Sequence, residues 1–425
     1  MQKINILFII HCLPYPLNSG GCQAIFNGIF AIKDDFNIFV TYPEKKTLSE
    51  QKNKEAFMSA MGDSIQLMPF ISSQLDKKPS LKYRLLNKFA SWLHLSRTNK
   101  PLNPYSWWME ELKPKSKPFI NHVDKIITNH HIDIVQCEML RNLPFVLSLP
   151  TKVKKVFVHH ELGFVRHQLE LEAISSTLYD GKAICLWSKC LEISLLNQFD
   201  CVVTLSPTDS RKLIDSGVTT NVFESFAIVR TSKPQNFTIT NPQELSFVGP
   251  DTHKPNLIGL KWFLDNCWPI LMQANKDYHL RIIGKWSEAN ISAFLAQYPN
   301  VSFLGFVEDL KSALQGTIMI VPITIGSGIR MKILEASSLG IPFVSTSIGA
   351  EGIPIETSKH CLIADNPFDF VEAIIQLKDK EKRFMFTQNA YQLINEKYSL
   401  PALRKNRIML YSSLFEARPL QKTIS

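Results

Sequence analysis

Between Val321 and Ile353 the chain reads VPITIGSGIRMKILEASSLGIPFVSTSIGAEGI, a pattern of residue types suited to holding a phosphate. Gly326-Ser327-Gly328 follows an apolar run and lets the backbone approach a ligand closely. The helical stretch after it would present unpaired N–H groups and the positive end of a helix dipole. Arg330 and Lys332 add two cations at that end. Cations there work against the dipole, so their placement makes most sense with an anion between them. Glu335 follows Lys332 by three residues and is its neighbour on the helix surface, where a carboxylate can accept hydrogen bonds from sugar hydroxyls. The plainer alternative is a surface helix with an ion pair. The third glycine of a dinucleotide fingerprint would fall on Met331, and there is no G-K-[ST] of a P-loop. No D-x-D stands at a strand end to suggest a metal-held nucleotide.

A second constellation lies in VFVHHELGFVR, Val156 to Arg166. A strand ends there at a histidine pair, then a carboxylate. A histidine at the carboxyl edge of a strand suits hydrogen bonding or proton relay. His160 is the first candidate and His159 the alternate, with a purely structural histidine as the plain reading. In LSPTDSRKL, Ser206 and Asp209 read as helix-capping residues.

The elements that must position these residues follow from hydrophobic patterning. INILFII, FNIFVTY, IDIVQCE, KVFVHH and DCVVTLS read as strands in the first half, and ELSFVGP, YHLRIIGK, TIMIVPI and PFVSTS in the second. Continuous apolar runs separated by helical patterns indicate parallel strands covered on both faces. The class is α/β, doubly wound, twice over. A chain of 425 residues exceeds what one core usually supports, so two domains are expected. The polar, proline-containing stretch RTSKPQNFTITNP, 230–242, is the expected linker. The expected domains are 1–235 and 243–398, with 399–425 a terminal helix.

Composition excludes disorder, collagen and coiled coil: 45% of residues are hydrophobic and 20% charged. The net charge of +9 points to an anionic partner. The eight cysteines form no C-x-x-C pair, which fits a reducing compartment rather than a zinc ribbon or disulfide scaffold. The opening MQKINILFIIHCLPYP reads as a buried first strand rather than a signal peptide, and a cytoplasmic location is expected. Segment 76–125 carries eleven Lys/Arg against four Asp/Glu. Within it Leu81, Leu85, Leu86, Phe89, Trp92 and Leu93 share a helical face beside Lys82, Arg84 and Lys88. That face either packs on its own domain or rests peripherally on an anionic membrane. Because the charge is local and lacks an aromatic stacking platform, a nucleic-acid partner is not expected.

The 321–353 segment resembles the C-terminal donor-binding motif of GT-B-fold glycosyltransferases, the "glycosyl transferases group 1" or family four enzymes. Many members carry two glutamates eight positions apart; here the second is Glu335 and Ser327 holds the first position, as in a G-S-G-x-R-x-K-x-x-E-A sub-branch. FVGPDTHKPNLIGLKWFLDNCWP, Phe247 to Pro269, is similar to the opening of the sub-branch's C-terminal domain. The resemblance implies two Rossmann-like domains facing across a cleft, with the last helix crossing back to the first domain. It implies transfer of a sugar from a nucleoside-diphosphate sugar to an acceptor hydroxyl, retaining and without metal or other cofactor, in cell-surface or lipid-linked glycan synthesis. The C-terminal domain would bind the donor and the N-terminal domain the acceptor. Glu335 would bind the nucleotide ribose, while Arg330, Lys332 and Gly328 would meet the diphosphate. Gly249 and His253 would line the donor site, as would Gly284 and the Gly305-Phe306-Val307 base contact. Gly20-Gly21 would form the glycine loop behind donor and acceptor. His160 would lie near the reacting carbon, with His159, Glu161 and Arg166 on the acceptor side. A GT-B-fold nucleotide-sugar epimerase and a catalytically silent glycosyltransferase-like partner protein are the alternatives.

Overall fold

The computed structural model describes residues 3–17, 19–44, 47–71, 112, 115–173, 179–226, 228, 242–326 and 328–416. Most of the basic segment 76–125, nearly all of the expected linker and Ser327 lie outside the described residues.

Fifteen strands are described. In the first half they are β1 Asn5–Ile9, β2 Asn37–Thr41, β3 Pro43–Glu44, β4 Ile65–Leu67, β5 Phe70–Ile71, β6 Ile134–Glu138, β7 Lys154–His159, β8 Cys201–Thr204 and β9 Asn221–Glu224. The second half holds β10 Glu244–Val248, β11 His279–Ile283, β12 Val301–Gly305, β13 Ile318–Val321, β14 Phe343–Ser345 and β15 Leu362–Ile363. They form a seven-stranded sheet, β4-β2-β1-β6-β7-β8-β9, and a six-stranded sheet, β12-β11-β10-β13-β14-β15, with β3 and β5 paired apart. The β1–β6, β6–β7, β10–β11 and β10–β13 pairs are all parallel.

Every residue of β6, β8 and β13 is buried; β13, IMIV, reads as an unbroken apolar run, whereas β6 also buries Gln136 and Glu138. The strand list from sequence patterning misses the β3–β5 pair and four edge strands, β4, β9, β12 and β15. The four edge strands are two to five residues long and bury one face incompletely or not at all. A short edge strand has no apolar run to announce it.

Chain contacts divide the molecule into two units. The first holds Met1–Val203 and Leu213–Val222, and the second Thr204–Lys212 and Phe223–Phe415. The helix Leu400–Ser413, which the sequence reading places on the first domain, groups with the second unit. It follows the helix Lys380–Lys397 after two residues and contacts it.

Each sheet has one place where the chain changes direction. In the first, β2 and β4 build to one side of β1 and β6 to β9 to the other. In the second, β11 and β12 lie on one side of β10 and β13 to β15 on the other. Loops leaving the carboxyl ends of strands diverge at such a point and open a crevice for ligand. The two crevices are therefore at the ends of β1/β6 and of β10/β13.

Candidate functional site

The crevice of the second unit is built around Gly249, which ends β10. Its φ is +147°, and a Cβ there would lie 2.4 Å from Asn256 Nδ2. Only glycine allows that approach. Asn256, on the helix Lys254–Asn266, donates from Nδ2 to Pro250 O at 3.0 Å and accepts at Oδ1 from Lys332 Nζ at 2.8 Å. Lys332 Nζ also lies 4.6 Å from the centre of the Phe247 ring. Burial, then the charge of Arg330, push the Lys332 ammonium down to about 7, while Glu335 acts in the opposite sense.

Arg330 is the backbone N-cap of the helix Met331–Leu339, after the loop that leaves β13. The residue is buried, and Nη1 donates to Gly328 O at 2.8 Å. Gly326, at φ +117°, holds the loop against it: a Cβ there would be 3.1 Å from Arg330 Nη2. Glu335 is half-buried on the same helix. Gly328, Arg330, Lys332 and Glu335 share one loop and helix, and Asn256 links Lys332 to Gly249. Asn256 escaped the sequence reading; its signal was the P-N pair after Lys254.

Gly249 and two further glycines terminate adjacent strands in step. Gly249 N donates to Ile283 O, and Gly284 N donates to Gly305 O, both at 2.8 Å. Gly284 has φ +134° and packs 2.7 Å (as a hypothetical Cβ) from the Gly249 backbone. Phe306, beyond Gly305, is 64% exposed, whereas Val307 packs into the core under β13. His253 is exposed at the N-cap of its helix and makes no capping bond from its side chain.

In the first unit, Ser19 caps the helix Gly20–Ile32, accepting from Cys22 N at 3.2 Å. A Cβ on Gly21 would meet Met139 Cε at 2.5 Å, so Gly20-Gly21 starts a helix pressed against the end of β6. His160 follows β7, and its Nε2 lies 2.6 Å from Glu138 Oε2 at the end of β6. Gln136 Nε2 donates to the other oxygen of Glu138 at 2.5 Å. The carboxylate therefore orients the His160 ring.

His159 is corrected. It is 2% exposed and its Nε2 meets Glu192 Oε1 at 2.8 Å. Glu192 also accepts from Gly163 N at 3.1 Å and Phe164 N at 3.0 Å, capping the helix Gly163–Ala173. A side chain so enclosed offers no surface to an acceptor; alternation along β7 turns it inward. Glu161 and Arg166 pair at 3.6 Å and stay partly exposed. Ser206 and Asp209 cap the helix Pro207–Asp215, the Asp209 N–H donating to Ser206 Oγ at 3.1 Å. Glu138 and Glu192 were not singled out in the sequence; the former stands in plain view as the terminal carboxylate of IDIVQCE.

No described helix is long and apolar enough to cross a membrane.

The two-sheet fold has counterparts among known proteins. Residues 242–380 match the family model "Glycosyl transferases group 1". The structure superposes on TarM of S. aureus with a TM-score of 0.70 at 13% identity, covering 98% of this chain and 99% of that one. It superposes on sucrose-phosphate synthase of Thermosynechococcus elongatus with a TM-score of 0.70 at 12% identity, over 98% and 100%. Against Anabaena HepE in complex with UDP the TM-score is 0.64 at 12% identity, over 96% and 100%. The fold is thus that of GT-B proteins, and the matched segment is similar to group 1 glycosyl transferases. A curated relative, the "Uncharacterized 44.6 kDa protein in cps region" of Klebsiella pneumoniae, is 30% identical over 163 residues. That match spans 36% of this chain and 42% of the relative.

Proposed function

We propose that the protein transfers a sugar from a nucleoside-diphosphate sugar to an acceptor hydroxyl, with retention and without a metal. The observation that carries this reading is Lys332. A half-buried ammonium beside Arg330, with Asn256 as its hydrogen-bond partner, calls for an anion. A diphosphate at the start of the helix Met331–Leu339 would meet both cations and the unpaired N–H groups of that helix. As the glycosidic bond breaks, charge builds on the diphosphate, and these groups would stabilise it. Losing one such donor commonly costs about 3–4 kcal/mol in the barrier.

Glu335 would hold the ribose hydroxyls, and Phe306-Val307, with Gly305, the base. Gly284 and His253 would border the sugar diphosphate. In the first unit His160, held by Glu138, would serve the reacting centre, with Glu161 and Arg166 on the acceptor. HepE was solved with UDP and with UDP-glucose, so UDP is the nucleotide to try first. The relative in a cps region supports a surface-glycan acceptor. A peripheral position on the cytoplasmic face of a membrane belongs to the same proposal and rests on the basic segment 76–125.

The test is a thermal-shift screen of the full chain against nucleoside diphosphates and nucleotide sugars, with EDTA and with Mg²⁺. At about a hundred times the dissociation constant, a ligand should stabilise the fold by about 2.7 kcal/mol. One base giving a shift in EDTA, abolished by Arg330→Ala and Glu335→Ala, is the expected result. A well-folded sample that responds to none overturns the proposal in favour of a catalytically silent protein. Donor consumption without acceptor would instead favour the epimerase.

A further inference from the structure

The direction change of the first sheet falls between β1 and β6, and three basic residues near it lie close enough for their charges to act on one another. His11 comes two residues after β1, and Arg141 lies in the turn after β6. Lys115 lies two residues before the helix Lys117–Asn129, next to its N-cap Ser116. Asn142 ties the arrangement together: its Nδ2 donates to Ile9 O at 3.2 Å and to Glu138 O at 2.8 Å, which fixes the Arg141 turn beside the end of β1.

These groups repel one another. Burial and then Arg141 lower the Lys115 ammonium to about 8. Burial, followed by Arg141, His160 and Lys115, lowers His11 to about 4. Neither Lys115 nor Arg141 has an ion pair among the described residues. Glu138, the carboxylate at the same edge, is already engaged by His160 and Gln136. The Nδ1 atom of His11 is buried without a hydrogen-bond partner. Arg141 is exposed, so the cluster has an open side. A crowded set of cations without its own counter-charge destabilises a fold unless something else supplies the anion.

We propose that Lys115, Arg141 and His11 form a subsite for a phosphate group carried by the acceptor, beside His160. The word acceptor rests on the glycosyltransferase reading above; the phosphate site itself does not. Cationic donors from three chain segments match the several oxygens and double charge of a phosphate monoester, of which a guanidinium binds two oxygens at once. The acceptor class is therefore a phosphorylated sugar, free or linked through phosphate to a lipid.

The test compares the full chain with Lys115→Gln/Arg141→Gln, with Arg330→Gln/Lys332→Gln, and with all four changes, each at constant ionic strength. Inorganic phosphate should stabilise Arg330→Gln/Lys332→Gln but not the fourfold variant. Without phosphate, Lys115→Gln/Arg141→Gln should melt no lower than wild type, because a repulsion has been removed. A lower Tm for that pair would show two structural cations and overturn the proposal. So would a phosphate response that the pair leaves unchanged. Two further probes name the source: glucose 1-phosphate for a free acceptor, and a polyprenyl diphosphate in detergent micelles for a lipid-linked one. A shift larger than inorganic phosphate gives, dependent on Lys115 and Arg141, assigns whichever produces it; neither doing so overturns the acceptor assignment. The UDP response, read separately in the same variants, reports on the transferase reading alone.

Discussion

His160 and Glu138 stand at the ends of neighbouring parallel strands with Nε2 and Oε2 only 2.6 Å apart. Glu138 is nearly buried and is also bound by Gln136, so it cannot swing away from the imidazole. A group held this firmly at a sheet's carboxyl edge is prepared to act on a bound molecule. His160→Ala should lower kcat by about 10²-fold or more while leaving UDP affinity intact. Glu138→Gln should lower kcat less, because the ring keeps one hydrogen-bond partner. Steady-state kinetics alongside UDP calorimetry separate these outcomes; an unchanged kcat in His160→Ala removes the residue from the reaction.

The adjacent pair has the opposite character. His159 and Glu192 are both essentially inaccessible, and Glu192 takes two helix N–H groups besides. Glu192→Ala should destabilise the first unit by about 3–5 kcal/mol, the cost of breaking a buried pair. Urea denaturation measures it. Glu192→Gln, which keeps size and some acceptor capacity, should cost distinctly less.

Gly249 and Gly305 offer a matched comparison. Both have positive φ, +147° and +68°, yet a Cβ on Gly249 strikes Asn256 whereas one on Gly305 meets nothing within 4 Å. Gly305→Ala should cost about 1–2 kcal/mol, the left-handed penalty alone. Gly249→Ala should cost more and also weaken UDP binding, because displacing Asn256 releases Lys332. Equal stabilities and affinities for the two variants would contradict the Asn256–Lys332 coupling.

Lys332 gives a pH dependence. Its ammonium titrates near 7 in the folded chain against 10.5 for an ordinary lysine, chiefly through burial and then Arg330. Between those values the unfolded chain binds more protons, so this group's contribution to stability rises with pH across that window. Below 7 the full penalty is present. Lys332→Met should flatten the stability profile from pH 7 to 10.5. A bound diphosphate favours the charged form, so UDP binding at pH 8 should take up protons. Calorimetry in two buffers of different ionisation heat measures that uptake, and its absence would place Lys332 away from the diphosphate.

The glycine-and-cation cluster was legible in the chain because its residues are close in sequence. Gly328, Arg330, Lys332 and Glu335 span eight positions, so helical spacing alone places them together. The apolar strands were legible for a related reason: burial on both faces leaves an unbroken run, as in β13. Short edge strands such as β4 and β9 leave no such trace.

What the sequence determined by itself is the α/β class, the two sheets' main strands and the glycine-and-cation motif, all consequences of local periodicity. Tertiary structure alone decided which histidine of the 159–160 pair is enclosed and which is held at the sheet edge. Glu192 reaches His159 from 33 residues away and Glu138 reaches His160 from 22. It alone brought Asn256 to Lys332, 76 residues on. It alone set His11 beside Arg141, through β1 pairing with β6. Such contacts depend on strand order and on the direction change in each sheet, and no spacing along the chain encodes the distance between residues on different strands.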